Sequence, residues 1–123
     1  MDAPAKDATM GRLTRRPQFL RVAERGRRFA APGMVVQALK PAADDPRAED
    51  IRLGLTASKK VGGAVVRNRA RRRLRALARE VLPRHGAPGY DYVLVARADT
   101  ATRPWLGLVQ DIEAALRRLG HWR

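Results

Sequence analysis

The sequence predicts one α+β domain, and three observations support this class. Residues 51–57 alternate apolar and polar side chains strictly, which is typical of a strand with one buried face. Residues 66–81 and 104–120 instead repeat apolar side chains at helical spacing. A chain of 123 residues has room for a single hydrophobic core, so these elements are expected to share one.

The start of the chain predicts a short tail and a first helix. Residues 1–11 are small, polar and interrupted by proline, so we expect a disordered tail followed by a folded domain at residues 12–120. Pro17 and Gly26 bracket a helical segment in the usual order of proline at the start and glycine past the end.

Three segments predict strands. Residues 34–40 and 91–97 are rich in β-branched and other apolar side chains, and the second carries them on both faces, which predicts a central position in the sheet. In residues 51–57, the face that starts with Ile51 and Leu53 is expected to be buried. Arg52 and Gly54 lie on the opposite face, where a glycine would let a ligand approach. Residues 41–50 are acidic overall and rich in proline and aspartate, which predicts a long hairpin loop.

The most distinctive stretch is residues 59–79, which carries nine positive side chains and no acidic one. On a helix over residues 66–81, the apolar stripe facing the core would contain Val66, Ala70, Leu74, Leu77 and Val81. The arginines occupy the rest of the circumference and repel one another unless an anion lies across them. Because guanidinium groups match phosphate oxygens in pairs, a polyanion is the expected partner.

The last segment predicts the clearest amphipathic helix. Pro104 precedes it and Gly120 follows it. We expect its apolar face to pack on the sheet, and that face holds Trp105, Leu108, Val109, Ile112, Ala115, Leu116 and Leu119.

The composition excludes several classes of function. The formal net charge of +14 favours nucleic acid or another anionic partner. The chain has no cysteine and no apolar run long enough to span a membrane, which leaves the cytoplasm as the expected location. His85 and His121 are expected to be solvated, and no catalytic or metal-ligand spacing is visible. Phosphate-loop motifs of the GxxxxGK[ST] or GxGxxG type are also missing.

A strand followed by Ser58-Lys59-Lys60, a glycine turn and a helix that opens with Arg67-Asn68-Arg69 closely resembles the bacterial ribonuclease P protein family. The likeness extends over roughly residues 12–119. It implies an α-β-β-β-α-β-α domain with a central mixed sheet, in which the arginine-rich helix forms a left-handed crossover against the usual right-handed rule.

The resemblance also implies a function. The protein would assist a catalytic RNA that uses Mg²⁺, held mainly by the RNA, to remove the 5′ leader from precursor tRNA. No catalytic residue, protein-bound metal, small-molecule substrate or membrane is implied. Two alternatives remain open: a small ribosomal or RNA-chaperone-like binding protein, and a self-sufficient nuclease.

The implied sites fall into two groups. The surface for the catalytic RNA comprises Ser58, Lys59, Lys60, Arg67, Asn68, Arg69, Arg71, Arg72 and Arg75. The cleft for the leader is implied at Phe19, with Arg12, Arg15, Arg21, Gln37 and Arg52 around it. Ala23 and Gln37 stand where some members of the family carry aromatic residues, so stacking in this cleft is expected to be weaker.

Overall fold

A computed structural model describes residues 7–42 and 50–123 of the chain. Residues 1–6 of the predicted tail at 1–11, and most of the predicted acidic loop, at 43–49, lie outside this description. The elements in chain order are β1 (Met10–Arg12), α1 (Arg16–Arg25), β2 (Arg27–Ala30), β3 (Met34–Leu39), β4 (Ile51–Thr56), a 3₁₀ turn (Lys59–Val61), α2 (Ala64–His85), β5 (Asp91–Ala96) and α3 (Trp105–Arg118).

The strands form one mixed sheet in the order β1-β4-β5-β3-β2. β4 pairs in parallel with β1 and β5, whereas β3 pairs antiparallel with β2 and β5. The predicted order α-β-β-β-α-β-α is confirmed from α1 onward. β1 precedes it, so the predicted boundary between tail and domain at residue 12 falls inside a strand. The hand of the β4-α2-β5 crossover stays a prediction.

Helices cover both faces of the sheet. α1 lies on one face, where Val22 packs with Leu13 and Val93. α2 and α3 lie on the other face, where buried side chains of the sheet, α2 and α3 form the main core around Leu74, Leu94 and Ile112. Because alternate residues of β5 are buried on the two faces, its predicted central position is confirmed. None of the described helices has both the length and the apolarity needed to cross a bilayer.

α2 is longer than the predicted residues 66–81. It begins at Ala64 and continues through Pro83 to His85. Proline lacks the amide that would donate to the Arg79 carbonyl, so it removes one helical hydrogen bond, while the carbonyls at the end of the helix keep partners. Here the Gly86 amide donates to the Leu82 carbonyl over 2.8 Å, and the Arg123 guanidinium donates to the Pro83 carbonyl over 2.9 Å.

The apolar stripe of α2 begins later than predicted. Ala70, Leu74 and Leu77 are completely buried, whereas Val66 is 38% exposed. Val66 lies in the first turn of α2 and packs beside Gly62, in the turn that enters the helix. The first turn of α2 therefore adds little to the main core.

The chain end folds back on the end of α2, contrary to the prediction that both histidines are solvated. The ring of His85 stacks on Trp122 with centroids 3.9 Å apart, and its Nδ1 lies 2.9 Å from the Arg123 carbonyl oxygen. His121 Nδ1 lies 2.6 Å from the Tyr92 hydroxyl, which also accepts a hydrogen bond from the Ala87 amide. These contacts fix the end of the chain to the end of α2.

This arrangement predicts a pH-dependent stability. Burial, and secondarily the charge of Arg27, lower the pKa of His121 from its usual 6.5. The neutral ring is therefore favoured in the folded state. Its contribution to stability is present above pH 6.5 and is lost as the pH falls through the lowered pKa of the folded state.

Urea unfolding between pH 8 and pH 5 measures this contribution. We expect the midpoint of the unaltered protein to fall with pH more steeply than that of His121→Gln, whose side chain accepts a hydrogen bond but does not titrate. Equal pH slopes for the two proteins would show that His121 is not the group responsible.

Candidate nucleic-acid interface

The exposed side of α2 carries several arginines that have no partner among residues 7–42 and 50–123. Arg69, Arg72 and Arg79 are exposed, and none of them forms an ion pair or a hydrogen bond with the described residues. Arg67 is half-buried, and its Nε is a buried donor with no acceptor in the described part of the chain. A buried donor without an acceptor is costly, so an external acceptor would be favoured here.

Two other arginines of α2 are bound internally, which distinguishes them from this exposed set. Arg73 donates to the carbonyls of Thr100 and Arg103, and so attaches α2 to the loop before α3. Arg71 donates to Asn68 Oδ1 over 3.1 Å and lies 3.5 Å from the Ala57 carbonyl oxygen. Arg71 and Asn68 therefore support each other on the helix surface.

The segment between β4 and α2 places more positive charge beside the helix. Ser58, Lys59 and Lys60 are all exposed, and the two lysines lie in the 3₁₀ turn. Gly62 has φ +150°, a conformation that residues with a side chain rarely adopt, so the sharp entry into α2 depends on glycine. The predicted basic segment thus lies next to the start of the arginine helix, where the helix dipole also favours anions.

A groove of about 510 Å³ runs between the β1–β4 edge of the sheet and α2. Its positive lining comes from Arg12 on β1 and from three side chains on α2. Those three are Arg71, Arg75 and Arg79. The apolar part of the lining includes Leu53, Leu55 and Phe19. The groove therefore combines four guanidinium groups with one aromatic ring.

A second cleft, of about 550 Å³, lies between α1 and the sheet. Phe19 and Gln37, both predicted for the leader site, line it together with Ala23. The remaining lining residues are Arg16, Leu20, Thr56, Val93 and Val95. Phe19 also lines the arginine groove, so the cleft and the groove share this ring.

The predicted basic residues of the cleft are distributed differently. Arg12 lines the groove, while Arg15 and Arg21 are exposed on α1 or at its start and line neither concavity. Arg52 binds the buried Asp91, with Nε to Oδ1 at 2.9 Å and Nη2 to Oδ2 at 2.7 Å. The two residues are register partners on β4 and β5, so Arg52 holds the sheet together at this position rather than lining the cleft.

Gly54 has a role that differs from its predicted one. A Cβ atom at this position would clash with Cε1 of Phe19, so the space left by the glycine is filled by the Phe19 ring and not by a ligand. The Leu13 side chain lies 3.2 Å from the same point. The Phe19 ring, which lines both the cleft and the groove, therefore packs directly against the backbone of β4.

Gly54→Ala is accordingly expected to displace the Phe19 ring. We expect binding of single-stranded RNA to weaken severalfold, because stacking on the ring depends on its position. Gly63→Ala is a matched control, since a Cβ atom there meets nothing within 4 Å. Equal RNA affinities for Gly54→Ala and Gly63→Ala, measured by fluorescence anisotropy, would contradict this positioning role.

Some residues of the interface were not predicted. Arg16 lines the cleft and Arg79 lines the groove, but their side-chain directions depend on how α1 and α2 dock on the sheet. Trp105 was predicted to face the core and is 38% exposed. It is the first residue of α3 and lies about one turn before Leu108, where the buried part of the helix begins.

The described residues contain no group of three or more His, Cys, Asp or Glu side chains that could hold a metal ion. Asp91 and Asp111, the buried carboxylates, are each bound to an arginine. The described part of the chain therefore does not fit Mg²⁺ as a protein-bound cofactor.

The fold and this interface define a small basic RNA-binding protein, in which an arginine-covered helix lies beside an aromatic cleft. The family model for ribonuclease P matches residues 8–120. The chain belongs to the ribonuclease P protein family, whose members take part in tRNA processing.

Individual relatives support this membership. The chain is 49% identical over 113 residues to the ribonuclease P protein component of Paramagnetospirillum magneticum, covering 92% of this chain and 85% of that protein. It is 56% identical over 108 residues to that of Ruegeria pomeroyi, covering 87% and 84%.

Solved structures agree in fold. The Staphylococcus aureus RNase P protein superposes with a TM-score of 0.72 at 25% identity, covering 91% of this chain and 97% of that one. The Thermotoga maritima protein gives a TM-score of 0.69 at 22% identity, covering 84% and 92%, and this likeness concerns the fold.

Proposed function

We propose that this protein binds the catalytic RNA of ribonuclease P through α2 and the 5′ leader of precursor tRNA through the α1 cleft. The RNA then performs the Mg²⁺-dependent cleavage. One observation carries the proposal: α2 presents several exposed arginines that have no acidic partner in the described part of the chain, on a helix whose opposite side is buried in the core. Such a surface is stabilised when phosphates lie across it.

The catalytic RNA would contact the start of α2 and the turn before it. Arg67, Asn68 and Arg69 lie in the first turns, next to Lys59 and Lys60. Guanidinium groups donate to phosphate oxygens in pairs and fix orientation, while the lysine ammonium groups add charge with less directional constraint. Arg72, which is also exposed, extends the same surface along the helix.

The leader would follow the cleft toward the groove. An unpaired base can stack on Phe19, and the polar side chain of Gln37 can hydrogen-bond to a base edge. Since Phe19 lines both the cleft and the groove, the next phosphates would meet Arg12, Arg75 and Arg79. The leader is thereby directed to α2, where the catalytic RNA would lie.

The protein's own contribution to the reaction would be binding and charge neutralisation. Two polyanions repel each other when they approach, and the arginines between them reduce that repulsion. In this proposal the Mg²⁺ ions belong to the RNA and supply the activated water. The protein lowers the Mg²⁺ concentration at which substrate binds productively.

Reconstitution with a cognate catalytic RNA tests the proposal. At low Mg²⁺, the protein is expected to accelerate removal of the leader from precursor tRNA, and to do so only when the RNA is present. Unchanged cleavage at every Mg²⁺ concentration would contradict it. Equal affinity for unrelated RNAs would instead indicate a general RNA-binding protein, and cleavage by purified protein alone would indicate a nuclease.

Phe19→Ala is expected to reduce affinity for leader-bearing tRNA by roughly tenfold, as one lost base stack implies, and to leave mature tRNA unaffected. Leu20→Ala is the control within the same cleft, because it removes a half-exposed aliphatic side chain and no ring. Equal losses for both tRNAs in equilibrium binding would contradict the assignment of the cleft.

A further inference from the structure

A third concavity, of about 280 Å³, lies between α2 and the start of α3. It is separate from the leader cleft, since α2 and α3 lie on the opposite face of the sheet from α1. Trp105 forms its α3 wall. Arg69, Arg72, Arg73 and Ala76 form its α2 wall.

The two tryptophans of the chain have different surroundings. Trp122 stacks on His85, and the Arg117 guanidinium lies 4.8 Å from its ring centroid. In contrast, no ring or guanidinium group within the described ranges stacks on Trp105, which is 38% exposed. Its indole is therefore open to a planar partner from outside the protein.

The walls of this pocket are held in place from both sides. Arg73 connects α2 to the carbonyls of Thr100 and Arg103, just before Trp105 in the chain. Arg103 is itself fixed by Asp111 of α3 through Nε, over 2.7 Å. The distance between Trp105 and the arginines of α2 is thus set by the fold before any ligand binds.

We infer that this pocket binds an unpaired nucleotide of the catalytic RNA, with the base stacked on Trp105 and the phosphates on Arg69 and Arg72. The inference rests on the proposed function, because it extends the RNA surface of α2 onto α3. An aromatic ring beside unpaired guanidinium groups is the combination that binds single-stranded nucleic acid. Ala76 contributes only a short side chain to the lining.

The charge of the pocket favours this occupant over an apolar protein segment. Arg69 and Arg72 have no acceptor within the described residues, so covering them with an apolar surface would remove two charges from water without compensation. A nucleotide supplies both the anion and the ring. A polyanion without bases would bind the arginines but would leave the Trp105 ring exposed.

Fluorescence of a single-tryptophan protein tests the inference. Trp122→Phe keeps an aromatic ring at the chain end and leaves Trp105 as the only tryptophan. We expect the catalytic RNA to quench the emission of this variant on binding, because the base stacks on the indole. Inorganic polyphosphate, which has no bases, is expected to bind without comparable quenching.

Affinity measurements complete the test. Trp105→Ala is expected to weaken binding of the catalytic RNA roughly tenfold, and Trp105→Phe is expected to restore most of the loss. Leu106→Ala is the matched control, since Leu106 is 65% exposed and does not line the pocket.

The possible failures are distinguishable. RNA binding with unchanged Trp105 emission, or with full affinity in Trp105→Ala, would overturn this inference and leave the proposed function standing. Failure of the unaltered protein to bind the catalytic RNA would overturn both. Quenching by polyphosphate equal to that by RNA would show an anion site without base stacking, and would also overturn the inference.

Discussion

Replacing Arg71, Arg75 and Arg79 together by alanine is expected to weaken binding of the catalytic RNA and precursor tRNA by about a hundredfold at physiological salt. These arginines share one groove, and each lost phosphate contact removes about 0.7 to 0.9 from the slope of log affinity against log salt. The salt dependence should therefore flatten by roughly 2 to 3 in total. Filter binding or anisotropy between 50 and 400 mM salt measures both quantities.

A matched control separates the position of the charge from its amount. Arg25, Arg28 and Arg118 are also exposed, and they lie on α1, β2 and α3, outside the groove. Their triple alanine variant has the same net charge as the groove variant. If both variants lost the same affinity and the same salt dependence, the protein would act as a diffuse positive surface, and the groove would have no special role.

Asp111→Ala is expected to reduce the free energy of unfolding by about 3 to 5 kcal/mol, as is usual when one partner of a buried ion pair is removed. Asp111 is 5% exposed and accepts three hydrogen bonds. The Gly33 amide donates to Oδ2 over 2.9 Å, and Arg103 donates to Oδ2 and Oδ1 over 2.7 and 3.1 Å. Removing this carboxylate would leave the Gly33 amide in the β2–β3 turn and the Arg103 guanidinium before α3 without their acceptor.

Glu113→Ala provides the comparison on the same helix. Glu113 binds Arg117 over 3.0 Å, but both side chains are largely exposed, so the expected loss is about 0 to 0.5 kcal/mol. Urea denaturation of both variants gives the two values. A loss below about 1 kcal/mol for Asp111→Ala would show that the buried pair does not hold α3 on the sheet.

Much of the fold was predictable because its signals are local. Hydrophobic spacing and the proline and glycine boundaries identified α1 and α3 closely, and alternation identified β4. β1 and β2 were missed from the residue pattern because they have only three and four residues. Strands this short are defined by their pairing partners, which lie elsewhere in the chain.

The candidate interface was predictable in part for the same reason. The one-signed charge of residues 59–79 is visible in the sequence, and so is the exposure of Arg72 opposite the buried stripe. The role of Arg73 was not, because its acceptors lie 27 and 30 residues away. Arg52 likewise resembles a free surface charge until β5 places Asp91 beside it.

Directed cleavage from α2 tests most directly whether RNA lies across this helix. The chain has no cysteine, so Val65→Cys provides a unique attachment point for a tethered iron chelate on an exposed position beside the Arg67-Asn68-Arg69 motif. Ala30→Cys provides the control on β2, at the opposite edge of the sheet from β1. We predict localised strand scission of the catalytic RNA from Val65→Cys and little from Ala30→Cys. Equal or absent scission from both positions would contradict the account.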